Sequence, residues 1–237
     1  TGGGLEAQAE IHQVGQIQDG ARLINHVYQR IDSFRVRSMS DHFMRCLRYP
    51  WEQLFDVKQT FSVGAQFVGQ TQVLEDFRNS HFLALRTKDA ICDRFRQVTG
   101  LRPTVSIENP DIRIQVVLVG QTIFVYRDLM GKSLHQRGYR KMPGPAPLKE
   151  TLAASMIAAS RWDPAHEPFV DLMCGSGTIV IEASVWARRN GVQDAQIFGY
   201  DADPEAILRA QTNLSTAQGL PPTKAAGPVA LQASRYE

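Results

Sequence analysis

The run Phe169-Val170-Asp171-Leu172-Met173-Cys174-Gly175-Ser176-Gly177-Thr178 sets two glycines just behind an acid, where an apolar strand gives way to a helix. Gly175 and Gly177 let a ligand approach the backbone with no Cβ in the way, and the helix start offers unpaired N–H donors. Alone, such a glycine pair specifies little. A second short apolar run, Ile197-Phe198-Gly199-Tyr200-Asp201, ends in an acid 24 residues after Gly177. A carboxylate so placed accepts hydrogen bonds from both ribose hydroxyls of an adenosine.

Three adenosine ligands compete for this arrangement. A dinucleotide-binding turn carries a third glycine three residues after the second, and that position is Val180. A phosphate-cradling P-loop needs Gly-Lys-Ser/Thr, which is absent. S-adenosylmethionine (SAM) has no phosphates to cradle, and it needs an acid near its amino group, where Asp171 stands. SAM is the expected cofactor, ahead of NAD(P) or a turn with no ligand. Cys174 and Ser176 read as small residues that let the loop turn, and no base is identifiable to make Cys174 a nucleophile. Glu182, one helical turn on, reads as a solvated or capping residue in preference to a ligand. Cys46, Cys92 and Cys174 are far apart, with no CxxC or Cys/His cluster. That argues against a disulfide framework or a metal site and fits a reducing cytoplasm.

The elements around this loop alternate. Thr151–Ser160 predicts an Ala-rich helix, 169–172 a strand and 177–189 a helix. A strand over 197–200, a helix over 204–217 and a strand over 229–232 follow. That succession predicts a parallel, doubly wound sheet. Ahead of it the grammar is mixed α+β. Helical spacing covers Ala21–Arg30 and alternation covers Phe34–Met39, while 15–20 carries little signal. A strand over Thr60–Phe67 precedes a helix over His81–Gln97. A hairpin then joins 112–119 to 123–127 through Gly120-Gln121. No apolar stretch approaches the roughly 20 residues of a membrane helix.

Charge is unevenly spread. Residues 77–149 hold 13 Lys/Arg against 5 Asp/Glu, and the remainder 13 against 19. Such asymmetry points to a polyanionic partner at the middle segment, or to a solvated basic face. Between the two halves, Pro143, Pro145 and Pro147 stiffen a connector that also holds Arg137, Tyr139, Arg140 and Lys141. That cluster reads equally as phosphate contacts with a stacking ring or as a strap pinned by Tyr139.

The segments 133–140 (Ser-Leu-His-Gln-Arg-Gly-Tyr-Arg), 145–154 (Pro-Ala-Pro-Leu-Lys-Glu-Thr-Leu-Ala-Ala) and 171–178, with Glu182-Ala183 after them, resemble in this order the THUMP-domain class I RNA methyltransferases. Within that family the large-subunit (23S) rRNA guanine-N2 type is the nearest match. The resemblance implies a partial ferredoxin-like region over 1–55, a THUMP RNA-binding domain over 56–130 and a linker over 131–150. Over 151–237 it implies the first half of a Rossmann-like, SAM-dependent methyltransferase domain. It further implies that Asp171, Cys174, Gly175, Ser176, Gly177, Thr178, Asp201, Ala202 and Thr151 line the cofactor. Residues 148–151 would close over the methionyl end. Arg86, Lys88, Arg137, Tyr139, Arg140 and Lys141 would face RNA, ribosomal in preference to transfer RNA.

Two departures accompany the resemblance. The third strand of the family commonly ends in an acid beside adenine, and Leu231-Gln232-Ala233-Ser234 has none. The catalytic Asn/Asp-Pro-Pro-aromatic motif follows a fourth strand, and Asn109-Pro110, Asp163-Pro164 and Asp203-Pro204 do not match it. No catalytic residue is assigned, and the chain to Glu237 is expected to bind SAM weakly and not to turn over. The other readings are a transfer-RNA guanine-N2 methyltransferase, a non-catalytic RNA-binding protein on a SAM-fold scaffold, and an NAD(P) oxidoreductase, which Val180 disfavours.

Overall fold

The computed structural model describes residues 4–69, 77, 79–219 and 229–234. The chain divides into two units, Thr1–Gln18 with His26–Lys132 and Asp19–Asn25 with Ser133–Glu237. A helix, α1 (Ile11–Gly20), lies at the N-terminal end.

The first unit is built on β1 (Tyr28–Arg35), β2 (Phe61–Val68), β3 (Ile112–Val119) and β4 (Thr122–Asp128), in the order β1-β4-β3-β2. β2 and β3 run parallel, as a crossover connection requires, and β3–β4 is the expected hairpin. The alternation in β3 buries Ile112, Ile114, Val116 and Leu118 on one face. Against that face pack α2 (Met39–Arg48) and α3 (Ser80–Thr99). Each helix starts on a capping side chain, Ser38 accepting from Asp41 N and Asn79 from Phe82 N. Trp51, Phe61, Phe95, Leu83 and Ile91 fill the core, and the Trp51 indole N–H donates to Cys46 O at 2.7 Å. His42 is also fully buried, bonded to Thr87 Oγ1 at 2.8 Å, and burial pushes its imidazole down to about 4, so it stays neutral.

Three expectations for the front of the chain are corrected. No helix runs over Ala21–Arg30, because Tyr28 and the residues after it belong to β1. The apolar residues with helical spacing, Leu23, Ile24 and Val27, lie in irregular chain ahead of the strand, and a bulge between Arg30 and Asp32 breaks the alternation within β1 itself. The strand expected over Phe34–Met39 ends at Arg35, and Met39 opens α2, while 15–20 falls in α1. The boundary expected at 55/56 falls inside one unit. β1 pairs with β4 along its whole length, and Phe34, Met39 and Cys46 share a core with Phe61 and Phe95.

The second unit follows the expected alternation through α4 (Glu150–Ser160), β5 (Phe169–Asp171), α5 (Thr178–Arg189), β6 (Ile197–Asp201), α6 (Pro204–Ala217) and β7 (Val229–Ala233). Its three strands are parallel in the order β5-β6-β7. Asp203 caps α6 by accepting from Glu205 N, with Pro204 in the first turn. The close packing that a third glycine gives a dinucleotide turn comes here from the strand. A Cβ on Gly199 would lie 2.7 Å from Leu231 Cδ2, 3.2 Å from Val180 Cγ1 and 3.3 Å from Cys174 Cβ. Gly199 therefore makes the room that Val180 fills. Gly199→Ala is expected to cost about 1–3 kcal/mol through overpacking, read as a lower urea midpoint at unchanged slope.

Candidate cofactor site

The register of β5 on β6 sets Asp171 opposite Gly199, so the two strand ends lie side by side. The loop leaving β5 is tied to the end of β6 by two backbone donors. Cys174 N donates to Tyr200 O at 2.8 Å, and Gly175 N donates to Asp201 Oδ2 at 2.8 Å. The other oxygen, Asp201 Oδ1, accepts from Asp203 N at 3.0 Å. One carboxylate thus fixes the glycine loop and its own turn, and each oxygen keeps a further lone pair for a ligand hydroxyl.

The two glycines do different work. Gly175 has φ +54°, and a Cβ built on it would meet no atom within 4 Å, so its backbone faces open space. Gly177 has φ +84°, and its Cβ would sit 2.9 Å from Ala210 Cβ on α6. Its lack of a side chain serves packing as well as the turn. Both glycines were expected to let a ligand approach, and of the two only Gly175 has open space where its Cβ would be.

Asp171 Oδ1 accepts from Met173 N at 3.1 Å, while Oδ2 is buried with no hydrogen-bond partner. Burial raises the carboxyl above its ordinary range, and the Asp201 charge adds to the rise. A buried, unsatisfied carboxylate oxygen is costly unless a donor completes it. An ammonium group is such a donor, so this acid and the open backbone at Gly175 fit a SAM-like group. Cys174 is buried, and burial, with Asp171 and Asp201 adding, pushes its thiol up to about 12. It remains a protonated small residue. Ser176 and Thr178 are buried and Ala202 is exposed. Thr151, at the start of α4, donates to Asn25 Oδ1 at 2.8 Å.

Sequence reasoning missed Asn213. This α6 side chain is buried and fully used. Its amide nitrogen donates to Ser176 O and Met142 O, each at 3.0 Å, and its oxygen accepts from Lys141 N and Met142 N. It clamps the glycine loop to the connector. No local pattern marks it, because its partners lie 37 to 72 positions away.

Glu182 is a correction. It is 2% exposed rather than solvated, and three groups converge on it. Arg22 Nη2 donates to Oε2 at 2.9 Å, Arg137 Nη1 donates to the same oxygen, and Tyr139 Oη donates to Oε1 at 3.0 Å. Arg137 also donates to Arg22 O at 2.5 Å. Tyr139 is 6% exposed, and burial holds its phenol far above the ordinary range. The assignment of Arg137 and Tyr139 to RNA contact is corrected with it, since their polar atoms face this carboxylate. Arg140 is likewise engaged, donating to Leu148 O at 2.5 Å and Thr178 Oγ1 at 3.1 Å and pairing with the buried Glu150 at 3.6 Å. Of the strap and RNA readings of this cluster, the contacts are those of a strap. Lys141 keeps an exposed side chain. Arg86 and Lys88 lie on α3, the first with its guanidinium 4.4 Å from the Phe43 ring centroid, the second paired with Asp89 at 2.8 Å. Among the described residues, no group of three His, Cys, Asp or Glu side chains is arranged to hold a metal.

Removing Glu182 strands the buried guanidinium of Arg137. Glu182→Ala is expected to cost about 3–5 kcal/mol and Tyr139→Phe about 1.5 kcal/mol, measured by chemical denaturation.

Comparison with known proteins follows the same division. Residues 36–128 match the THUMP domain family, and residues 137–225 match the family described as UPF0020, RMKL-like, methyltransferase domain. Ribosomal RNA large subunit methyltransferase K/L of Psychromonas ingrahamii is 40% identical over 185 residues, 78% of this chain and 24% of that protein. Among solved structures, SMU.472 in complex with SAH is 25% identical with a TM-score of 0.68, over 89% of this chain and 62% of that one. TrmN from Thermus thermophilus shares the fold at a TM-score of 0.66 and 20% identity, over 98% of this chain and 61% of that one. The chain spans about a quarter of the curated relative and about three fifths of these solved chains. Along its length it is thus similar first to THUMP domains and then to RMKL-like methyltransferase domains.

Proposed function

We propose that this chain supplies the RNA-binding and SAM-binding parts of a methyltransferase acting on large-subunit ribosomal RNA, at the exocyclic N2 of a guanosine. The observation that carries the cofactor half is the junction of loop and acid, with Gly175 N bonded to Asp201 and the Asp171 oxygen left unsatisfied beside it. In this reading Asp201 holds the ribose hydroxyls, Asp171 accepts from the methionyl ammonium, and Gly175 lets the ligand lie against the backbone. Bound there, SAM supplies a methyl group already made electrophilic by its sulfonium. The protein's work is then mainly positioning. The RNA half rests on the THUMP match and on the basic excess of 77–149. Large-subunit ribosomal RNA is the substrate named for the Psychromonas ingrahamii relative. A guanine amine is a poor nucleophile within the ring system, so a flipped base held for in-line attack is the geometry this reading requires. No described helix is long and apolar enough to cross a membrane, and the compartment proposed is the cytoplasm.

Calorimetry with SAM, SAH and NAD tests the cofactor. SAM and SAH are expected to bind at one site and NAD not to bind. Asp201→Ala and Asp171→Asn are each expected to weaken SAM about tenfold or more, tenfold being about 1.4 kcal/mol. Equal binding of NAD, or no effect of either substitution, overturns the reading. Methyl transfer from labelled SAM to ribosomal RNA by the full-length protein, followed by nucleoside analysis, tests the N2 position.

Asp171 also fixes a pH signature. Its folded-state carboxyl is raised above the unfolded value, so its contribution to stability is present below the unfolded pKa and lost as pH rises through the folded one. Asp171→Asn is therefore expected to stabilise the fold at neutral pH while weakening SAM, and wild-type SAM affinity is expected to fall on acidification. Thermal melts across pH read the first, calorimetry the second.

A further inference from the structure

The inward face of the four-stranded sheet is filled by its own helices, while among the described residues of that unit no helix shares a core with its outward face. The register aligns Gln115, Tyr126 and Arg30 in one row across β3, β4 and β1. The flanking rows bring Arg113 and Tyr28 to one side and Phe124 to the other. All six side chains keep some exposure, in contrast to the buried Ile114, Val116, Ile123 and Val125 that alternate with those of β3 and β4.

The aromatic rings on this face form a continuous band. His26 stacks on Tyr28 with centroids 5.4 Å apart and planes 12° apart, Tyr28 lies 5.7 Å from Tyr126, and Tyr126 lies 6.3 Å from Phe124 at 14°. Outward positions of a half-solvated antiparallel pair are ordinarily polar, so three aromatic residues there need an occupant. An aliphatic partner surface is not what they match, because their neighbours are Gln115, Arg30 and Arg113. Flat rings edged by guanidinium groups suit flat, anionic chains, whose bases stack while their phosphates are neutralised. The acids on this face are already engaged, Asp128 with His26 at 3.0 Å and Glu6 with Arg30 at 2.7 Å. The second is an exposed pair, which a phosphate can displace at small cost. Four-stranded sheets that read RNA use outward aromatics to stack two or three bases.

We propose that the outward face of β1, β4 and β3 is a stacking platform for two or three unpaired RNA bases, with Tyr126 at its centre and Arg30 and Arg113 on the backbone. This rests on the reading of the unit as RNA-binding, and it names unpaired rather than duplex RNA as the ligand. It also places the contact on the side of the sheet opposite Arg86 and Lys88.

Fluorescence anisotropy with a labelled unstructured 12-nucleotide RNA and a labelled RNA duplex provides the test. Wild type is expected to favour the single strand. Tyr126→Ala and Tyr28→Ala are each expected to weaken it by roughly five- to 150-fold, the range for losing one stacked base, and Tyr126→Trp to retain it. Arg113→Gln is expected to lower the salt slope by about 0.7, the loss of one phosphate contact. Circular dichroism and melting of the variants separate lost binding from lost folding. If wild type binds neither RNA, the RNA-binding reading falls and the platform with it. If it binds but the ring variants bind equally, or the duplex is preferred and unaffected by them, the platform alone is overturned.

Discussion

The second unit turns on one constraint, that the loop after β5 must end against the carboxylate that closes β6. Parallel pairing alone sets Asp171 beside Gly199 and leaves the loop free to wander. The two donors, Cys174 N to Tyr200 O and Gly175 N to Asp201 Oδ2, remove that freedom. Once they form, Gly177 must pass within contact of Ala210, which forbids a Cβ, and Asn213 can reach Ser176 O from the same helix. The open backbone at Gly175 is thus a consequence of bonds made on its far side. A residue that only shaped the loop would leave the acid free, and a residue that only bound ligand would leave the loop loose. Asp201 is able to do both because a carboxylate has more lone pairs than its two backbone donors use.

The same unit is braced from outside the sheet by a buried ionic cluster. Glu182 on α5 carries one charge, while Arg22 and Arg137 bring two, and Tyr139 adds a neutral donor. Burying such groups is expensive, and an apolar cluster of equal volume would hold α5 at least as tightly. What the ionic cluster adds is direction. A carboxylate with three donors accepts the connector and residues 19–25 in one arrangement, whereas an apolar face tolerates sliding. Arg22 sits 160 positions from its partner, so the segment 19–25 belongs to this unit by bonding and not by neighbourhood.

How much of this was legible depended on whether the signal was local. Strands, helices and their parallel order in the second unit were readable because each is written within its own ten or so residues. The glycine loop and Asp201 were readable because they sit at strand ends, where position implies proximity. Gly199 was passed over as an ordinary strand residue, although it answers Val180. Apolar residues of the irregular chain before β1, at Leu23, Ile24 and Val27, mimicked helical spacing, and the bulge at Arg30/Asp32 broke the alternation that would have marked β1. Glu182, Asn213 and Asn25 were opaque because their meaning lies in partners 37 to 160 positions away. Charge misled in one place: the arginines of the connector looked like a phosphate contact, yet Arg137 and Arg140 are consumed by buried carboxylates.

That consumption changes what the basic excess of residues 77–149 can mean. Three of its cations are paired with acids outside the segment, Arg94 with Glu52 and, in the connector, Arg137 with Glu182 and Arg140 with Glu150. A net positive count therefore overstates the field offered to a polyanion. On the proposed platform, recognition of RNA would lean on stacking as much as on charge, with Arg30 and Arg113 as its phosphate contacts. A binding mode with few phosphate contacts has a shallow salt dependence, and it selects for exposed bases. Selection for exposed bases is in turn what chemistry on an exocyclic amine requires, because that atom is reached only when the base is out of its stack.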